Sequence, residues 1–227
     1  MERIHLLYQP DGNRRYARGQ GVPLREAYEL SLDKIISFAG WFFDYEQAGE
    51  LSIHALDRYN LRRSSEEIGP LKRTIVSGIQ KICDSRVVND KGLTVRVVGR
   101  LSDLFSDEER EREAELQKTL AKQIPTDRKL NLLVSYDPDE ELQKASQKCE
   151  RDGVPVTFRN LSERWSISPV SMLLRTSQLS NSIRISAYFP GIEQAKLISI
   201  QTSPQELTKG EFNRIMDLYH SLTKTTN

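Results

Sequence analysis

Six short apolar segments, separated by longer amphipathic ones, restrict the fold of this 227-residue chain more than any other feature. The short segments are rich in β-branched and aliphatic residues and are bounded by Gly, Pro, Asp or Asn, which is typical of buried strands. They cover residues 4–8, 51–56, 93–98, 130–136, 170–175 and 197–201. Strands that alternate with helices predict an α/β fold with a mostly parallel central sheet of about six strands, surrounded by helices.

The longer segments carry apolar residues at helical spacing. They predict helices at residues 23–46, 64–84, 102–122, 139–151 and 204–222. Ser64 and Glu67 predict a capping box at the start of the second helix. Gly69-Pro70 predicts a kink there, or a restart at Pro70, because proline removes a backbone donor. Residues 123–129 and 151–160 are predicted to be loops.

Charge and hydropathy exclude several classes of protein. Lys and Arg number 33 against 32 Asp and Glu, so the chain lacks the basic bias of a general nucleic-acid binder. The mean hydropathy is −0.55, and no apolar run approaches the length of a membrane span. The N-terminus lacks the features of a signal peptide, and neither cysteine lies in a CxxC motif. These features predict a cytoplasmic protein with no membrane span and no nucleic-acid partner.

Residues that suit phosphate binding follow the first predicted strand. The segment after it contains Asp11, Gly12, Asn13, Arg14 and Arg15. In parallel sheets, ligands bind outside the carboxyl ends of the strands. Arginine supplies bidentate donors for phosphate, and a magnesium ion can bridge a carboxylate to phosphate oxygens. The alternative is an Asp-Gly turn with surface arginines, and this segment alone leaves both interpretations open.

Two further strand ends carry arginine with small polar residues. The segment after the second strand contains Asn60 and Arg63, and the fifth strand ends in Arg175, with Arg184 and Ser186 soon after. The three strand ends together predict a polyanion site for more than one phosphate group. The three histidines lack the spacing of a metal-binding motif, so histidine–metal catalysis is not predicted.

The segment DGNRRYA at residues 11–17 resembles the opening motif of the cis-prenyltransferases, the undecaprenyl diphosphate synthase family. Asn60 and Arg63, followed by SSEEI, resemble the family's Asn-aromatic-x-Arg-Pro loop and its next helix. Residues 97–102 and 131–136 resemble its third and fourth strands. Residues 173–177 with 184–186 resemble its Ile-Arg-Thr-Gly-Gly and Arg-x-Ser elements. The resemblance spans most of the chain and implies one cis-prenyltransferase-like domain over residues 1–227.

This resemblance also implies a homodimer, an apolar tunnel for the isoprenoid chain, prenyl diphosphate substrates and Mg²⁺ as the cofactor. By position, Asp11 would hold magnesium and assist the leaving diphosphate, while Asn60 and Arg63 would support ionisation or proton removal. The residues that would bind the allylic diphosphate are Gly12, Asn13, Arg14 and Arg15. Those that would bind the second diphosphate are Arg175, Arg184 and Ser186.

Several positions depart from the chain-elongating pattern. Leu24 and Tyr28 stand where elongating members have Arg and His, and Ser177-Gln178 replaces Gly-Gly. Lys196 occupies the position of a metal-binding Glu, unless an insertion makes Glu193 the true counterpart. These departures argue against processive elongation with isopentenyl diphosphate. They resemble the small lavandulyl and cyclolavandulyl diphosphate synthase branch.

The leading hypothesis is therefore an irregular prenyl diphosphate synthase. It would join short allylic diphosphates such as dimethylallyl diphosphate head to middle, with or without cyclisation. A second hypothesis is a terpene cyclase on the same scaffold, which ionises one longer prenyl diphosphate. A third is a non-catalytic prenyltransferase subunit. Lys196 favours it, whereas it is opposed by the retention of Asp11, Asn60, Arg63, Arg175 and Arg184.

Overall fold

The computed structural model describes residues 3–176, 190–192 and 194–224, in which six parallel strands form one sheet. The strands are β1 (Ile4–Gln9), β2 (Ala48–His54), β3 (Thr94–Gly99), β4 (Lys129–Val134), β5 (Met172–Thr176) and β6 (Lys196–Ile200). Their order in the sheet is β3-β4-β2-β1-β5-β6, so β1 lies between β2 and β5. The predicted α/β class, with a parallel six-stranded sheet surrounded by helices, is confirmed.

Helices connect the strands. They are α1 (Asn13–Gln20), α2 (Leu24–Phe42), α3 (Ser65–Cys83), α4 (Arg86–Lys91), α5 (Arg110–Ala121), α6 (Pro138–Arg151), α7 (Phe158–Arg164) and α8 (Lys209–Lys224). Short 3₁₀ turns occur at Arg58–Arg62, Leu101–Leu104, Asp107–Glu109 and Pro204–Glu206. In chain order, α2 begins soon after the carboxyl end of β1, and α3 begins soon after the carboxyl end of β2.

Three short helices lie where the sequence predicts none. The predicted loop at 151–160 is wrong at its end, because α7 begins at Phe158 and the Thr157 side chain accepts a hydrogen bond from the Asn160 N–H at 3.3 Å. Helices α1 and α4 were also missed, since six to eight residues carry too little periodicity to detect. In the predicted helix at 102–122, regular α-helix begins only at Arg110, after two 3₁₀ turns.

The start of α3 differs from its prediction in two ways. The helix runs from Ser65 to Cys83 through Pro70, so the restart at Pro70 is wrong. The capping box is also wrong, because the Ser64 side chain makes no capping hydrogen bond. Glu67 instead extends toward Arg14 of α1, with 3.5 Å between carboxylate and guanidinium. A tertiary contact has therefore replaced the local one.

Both faces of the sheet are covered by apolar side chains. On one face, α2, α3 and α8 pack over a cluster that includes Tyr8, Phe38 and Phe212. Tyr8 stacks on Phe38 with 4.4 Å between ring centroids. A smaller cluster on the second face contains Leu7, Val98, Leu133, Tyr136, Ile167, Val170 and Leu173. Phe42 and Phe43 also belong to the first cluster.

The described helices include none that is both long and apolar enough to cross a membrane. Cys83 and Cys149 are buried free thiols. His5 is also buried and lies within the hydrogen-bonded interior of the sheet. Its two ring nitrogens lie 2.8 Å from the Ser52 hydroxyl and from the Ser168 carbonyl oxygen.

Candidate active site at the carboxyl ends of the strands

The sheet brings the segments after β1 and β5 together. Gln9 of β1 is in register with Arg175 of β5, so residues that follow Gln9 lie beside the end of β5. Nη2 of Arg175 donates to Oδ2 of Asp11 at 2.7 Å. The Thr176 hydroxyl donates to the Asp11 carbonyl oxygen at 2.9 Å. The predicted convergence of these two strand ends is therefore present in the structure.

Arg175 is buried, yet only part of its guanidinium is satisfied. Its side chain is 9% exposed, against 42% for Asp11. Its Nε and Nη1 atoms are buried and have no hydrogen-bond partner among the residues that the structure describes. A buried donor without a partner costs roughly 1–3 kcal/mol, and more when it is charged. These two donors therefore favour an anionic ligand next to the Asp11–Arg175 pair.

Gly12 precedes α1, whose first backbone N–H groups are further hydrogen-bond donors beside Asp11. Its φ of 111° is a left-handed conformation that side chains rarely adopt, and it directs the chain into α1. The N-terminus of a helix presents free backbone N–H groups and a partial positive charge, which suit a phosphate. Asn13 is held there by Gln205, whose Nε2 donates to Oδ1 of Asn13 at 2.6 Å. Arg14 and Arg15 follow on the exposed side of α1.

Asn60 and Arg63 form a contact of their own after β2. Nη2 of Arg63 donates to Oδ1 of Asn60 at 2.7 Å. The 3₁₀ turn that carries Asn60 is fixed by Asp57, whose carboxylate accepts from the Tyr59 N–H at 2.7 Å. The structure thus pairs the two residues that the sequence analysis placed together.

Tyr28 is a site residue that the sequence analysis did not include. It lies on α2, is 5% exposed and interacts with Arg63. Burial raises the pKa of its hydroxyl, and the positive charges of Arg63 and Arg14 offset part of that rise. The phenol therefore keeps its proton at neutral pH and is a hydrogen-bond donor. Its departure from the histidine of elongating enzymes was the signal that could have drawn attention to it.

An apolar cleft opens beside these polar groups, between α2 and α3. It encloses about 560 Å³ of space outside protein atoms, part of it open to solvent. Asn13 and Tyr28 contribute its polar lining near the strand ends. The residues that line the cleft are otherwise mostly apolar, and they include Leu32, Ile35, Ile53, Leu71, Ile75, Gly78, Ile79, Ile82 and Leu132. A polar anion site that adjoins an apolar cleft suits an amphiphilic ligand.

Some of the predicted residues are not brought into this site. Arg184, Ser186 and Glu193, together with Ser177-Gln178, lie outside the described residues. Lys196 is in register with Met172, three residues before Arg175. At the rise of a β-strand this is a separation of about 10 Å along the sheet. Within one chain, Lys196 therefore lies toward the amino end of β6 and away from Asp11.

Asp11 fits magnesium only together with a ligand. In the part of the chain that the structure describes, no group of three or more His, Cys, Asp or Glu side chains is placed to hold a metal ion. Magnesium commonly binds through one or two carboxylates plus substrate phosphates. Asp11 could supply the carboxylate, and phosphate oxygens of a ligand together with water could supply the other ligands.

Sequence comparisons give the chain its family. Residues 10–226 match the prenyltransferase family model described for undecaprenyl diphosphate synthase. A tritrans,polycis-undecaprenyl-diphosphate synthase (geranylgeranyl-diphosphate specific) of Pyrobaculum aerophilum is 30% identical over 95 residues, which is 42% of this chain and 40% of that protein. The enzyme of the same specificity from Sulfolobus acidocaldarius is 25% identical over 196 residues, 82% of this chain and 72% of that one.

Solved structures agree on the fold. A protein described as a probable undecaprenyl diphosphate synthase from Campylobacter jejuni has a TM-score of 0.71 at 20% identity, over 97% of this chain and 96% of that one. The lavandulyl diphosphate synthase of Lavandula x intermedia, in complex with dimethylallyl diphosphate, has a TM-score of 0.72 at 15% identity, over 95% and 94%. With nearly the whole length matched by the family model, this chain belongs to the undecaprenyl diphosphate synthase family of prenyltransferases.

Proposed function

We propose that the protein is a magnesium-dependent, irregular prenyl diphosphate synthase. It joins short allylic diphosphates, dimethylallyl diphosphate first among them, by head-to-middle condensation, with or without cyclisation. The observation that carries this proposal is the Asp11–Arg175 pair next to an apolar cleft. Within this pair Arg175 is buried, and two of its guanidinium donors have no partner among the described residues. The polar end suits a diphosphate and the cleft suits its hydrocarbon chain.

The chemistry assigned to these residues begins with breaking the C–O bond between the allylic carbon and its diphosphate. The bonding electrons leave with the diphosphate, so the protein must stabilise a growing negative charge. Magnesium, when bound with the diphosphate, neutralises part of that charge. The N–H groups at the start of α1, with Gly12, Asn13, Arg14 and Arg15, surround the leaving group. Asp11 would be the carboxylate that holds the metal beside the diphosphate.

The second half of the reaction forms a carbon–carbon bond. The alkene of a second prenyl diphosphate attacks the allylic cation, and the new cation then loses a proton to the released diphosphate, which restores a double bond. We assign Asn60 and Arg63 to ionisation or proton removal, since they form one hydrogen-bonded pair near Tyr28. Arg175, with Arg184 and Ser186, is assigned to the second diphosphate. Because Arg175 donates to Asp11, it would connect the second diphosphate site to the allylic diphosphate site.

A second candidate is a terpene cyclase that acts on one longer prenyl diphosphate. The length of the cleft favours it, because cleft-lining residues of α3 run from Leu71 to Ile82. Eleven helical steps correspond to about 16 Å along the axis, which suits a chain longer than dimethylallyl. The Lavandula structure binds dimethylallyl diphosphate; together with Leu24 and Tyr28, that likeness supports the condensation as the first choice.

The deciding assay is an incubation with dimethylallyl, geranyl and farnesyl diphosphates, with and without isopentenyl diphosphate and magnesium. Organic products and free diphosphate are both measured. A ten-carbon branched product from dimethylallyl diphosphate alone supports the condensation. A hydrocarbon or alcohol from farnesyl diphosphate alone supports the cyclase. Long chains formed only with isopentenyl diphosphate would contradict both, and no turnover of any substrate would support a non-catalytic subunit.

We also propose that the protein is a cytoplasmic homodimer, on the strength of the family alone. Light scattering should then give twice the 26.1 kDa of one chain. A mass of one chain at micromolar concentration would contradict the homodimer, but it would not contradict the proposed reaction.

Magnesium binding should depend on diphosphate. Because Asp11 is the carboxylate available next to Arg175, Mg²⁺ alone should bind only at millimolar concentrations, and addition of inorganic diphosphate should tighten binding at least about tenfold. Isothermal titration with Mg²⁺, with and without diphosphate, measures the difference. Equal affinity in both titrations would mean that the metal has a site independent of the ligand.

Replacing Tyr28 by Phe should weaken use of the allylic substrate while the fold stays intact. A hydrogen bond to a charged group contributes about 1.5–3 kcal/mol, so kcat/KM should fall roughly 10- to 100-fold. Steady-state kinetics on Tyr28→Phe measure the loss, and Tyr59→Phe, at an exposed tyrosine, is the matched control. If both variants retain wild-type kcat/KM, the Tyr28 hydroxyl does not contact the substrate.

A further inference from the structure

A second cleft lies at the opposite edge of the sheet from the candidate active site. It contains about 740 Å³ of space outside protein atoms, part of it open to solvent. Lys129 is the first residue of β4, and Ser168 and Pro169 precede β5, so the cleft adjoins the amino ends of these strands. Asp11, in contrast, follows the carboxyl end of β1. We call it the basic cleft; its lining comprises Arg96, Lys129, Lys148, Ser162, Glu163, Trp165, Ser166, Ile167, Ser168 and Pro169.

Two cations of the basic cleft are bonded to neutral partners. Nη2 of Arg96 donates to the Ser166 carbonyl oxygen at 2.8 Å. Nζ of Lys148 donates to the Arg164 carbonyl oxygen at 3.0 Å. Across residues 3–176, 190–192 and 194–224, neither side chain forms an ion pair with a carboxylate. A carbonyl oxygen leaves the charge of its partner uncompensated, and a guanidinium has further N–H donors to offer.

The carboxylates near the cleft are already engaged. Glu163 lies 3.1 Å from Arg159 and 3.9 Å from Arg164, so two guanidinium groups share its charge. Glu50 lies buried in the sheet, where Asn131 and the Ser168 hydroxyl each donate to it at 2.6 Å.

Lys129 offsets the remaining charge of Glu50, with 4.0 Å between its ammonium and the carboxylate. Arg96 and Lys148 therefore leave the cleft with an excess of positive charge.

Arg96 occupies an unusual place for a charged side chain. It is the third residue of β3, half-buried, and in register with Asn131 on β4. Strands of a parallel sheet with both faces covered are ordinarily almost continuously apolar. Removing a guanidinium partly from water is costly without a compensating anion.

We propose that the basic cleft binds an anion through a phosphate group. The guanidinium of Arg96 suits two oxygens of one phosphate, and the ammonium of Lys148 adds a point charge. Trp165 forms one wall, and its Nε1 donates to the Tyr136 hydroxyl at 2.8 Å, which fixes the plane of the indole. A phosphate ligand that also carries a planar base could stack there. The proposal does not depend on the proposed enzymatic function.

The test uses inorganic phosphate, inorganic diphosphate and adenosine monophosphate as three separate probes, titrated calorimetrically. All titrations use the Arg175→Gln variant, in which the strand-end site is weakened, and the contribution of the basic cleft is the difference in affinity between this variant and those that also lack its cations. Adding Arg96→Gln and Lys148→Gln should weaken binding of at least one probe more than tenfold. A preference for the nucleotide over inorganic phosphate would place its base against Trp165, and equal binding would limit recognition to the phosphate; either supports the site.

The matched control removes two exposed cations elsewhere, Arg86→Gln with Lys122→Gln, and should change binding less than twofold. An equal loss in the control would show only a general effect of net charge and would overturn the proposal. So would the absence of measurable binding in Arg175→Gln. Arg96 also donates a hydrogen bond to the Ser166 carbonyl oxygen, so its replacement can destabilise the fold. If the variant with both substitutions unfolds, Lys148→Gln alone is tested instead. An unchanged affinity in that single variant would also count against the site.

Discussion

Asp11→Asn should lower turnover about 100- to 1,000-fold, the range seen when one electrostatic contact to a transition state is lost. The asparagine retains an oxygen that can accept from the Gly12 N–H, so the turn into α1 is preserved. What it loses is the negative charge that faces Arg175 at 2.7 Å and that would hold magnesium. Ionisation of the allylic diphosphate, which depends on that charge, should therefore suffer most.

Release of diphosphate in the substrate assay measures this loss, and circular dichroism checks the fold. Asp127→Asn is the control, since Asp127 precedes β4 at the opposite edge of the sheet and its side chain is almost fully exposed. The control should keep wild-type turnover. Near wild-type diphosphate release from Asp11→Asn would remove Asp11 from the mechanism, whatever the control does.

The arrangement of strand ends was predictable because it follows from the period of the sequence. Six apolar segments alternate with helical ones, and this alternation alone implies a parallel sheet with its ligand site at one edge. Asp11 and Arg175 each follow such a segment. Their direct contact across 164 residues was not predictable, because it requires β1 and β5 to be neighbours, and no residue pattern encodes that order.

Local rules failed where a distant partner offered a better contact. Ser64 and Glu67 have the spacing of a capping box, yet Glu67 extends toward Arg14 of another helix. Gln205 was missed for a similar reason, since its hydrogen bond to Asn13 spans 192 residues. Tyr28 stood out in the sequence only as a departure from a family pattern. Its burial beside Arg63 is what makes it a site residue.

Helices α2 and α3 approach each other closely at the apolar cleft, where Gly78 faces Leu32. A Cβ atom at Gly78 would lie 2.9 Å from Cδ1 of Leu32, which is closer than real contacts allow, and 3.1 Å from Cδ2. Both residues line the cleft. Any side chain at position 78 would therefore push the end of Leu32 aside, and the space available to it is the cleft itself. Gly78 thus preserves space in the cleft, where we propose that the prenyl chain binds.

Gly78→Ala should consequently discriminate against long substrates. In a hydrophobic pocket, one methylene is worth about 10- to 200-fold in kcat/KM, so the farnesyl to dimethylallyl ratio of kcat/KM should fall at least about tenfold. Alanine gains helix propensity of about 1 kcal/mol over glycine, whereas overpacking costs about 1–3 kcal/mol. The protein should remain folded, and thermal unfolding will check this.

Leu32→Ala in the Gly78→Ala background should restore the ratio, because the shortened side chain no longer meets the new Cβ. Leu30→Ala on the exposed face of the same helix is the matched control and should restore nothing. Competition between labelled farnesyl and dimethylallyl diphosphates measures the ratio in one tube, which removes errors in enzyme concentration. Equal ratios in wild type and Gly78→Ala would mean that prenyl chains do not enter between α2 and α3. In that case the cleft would not be the hydrocarbon site, although the diphosphate assignments at Asp11 and Arg175 would stand.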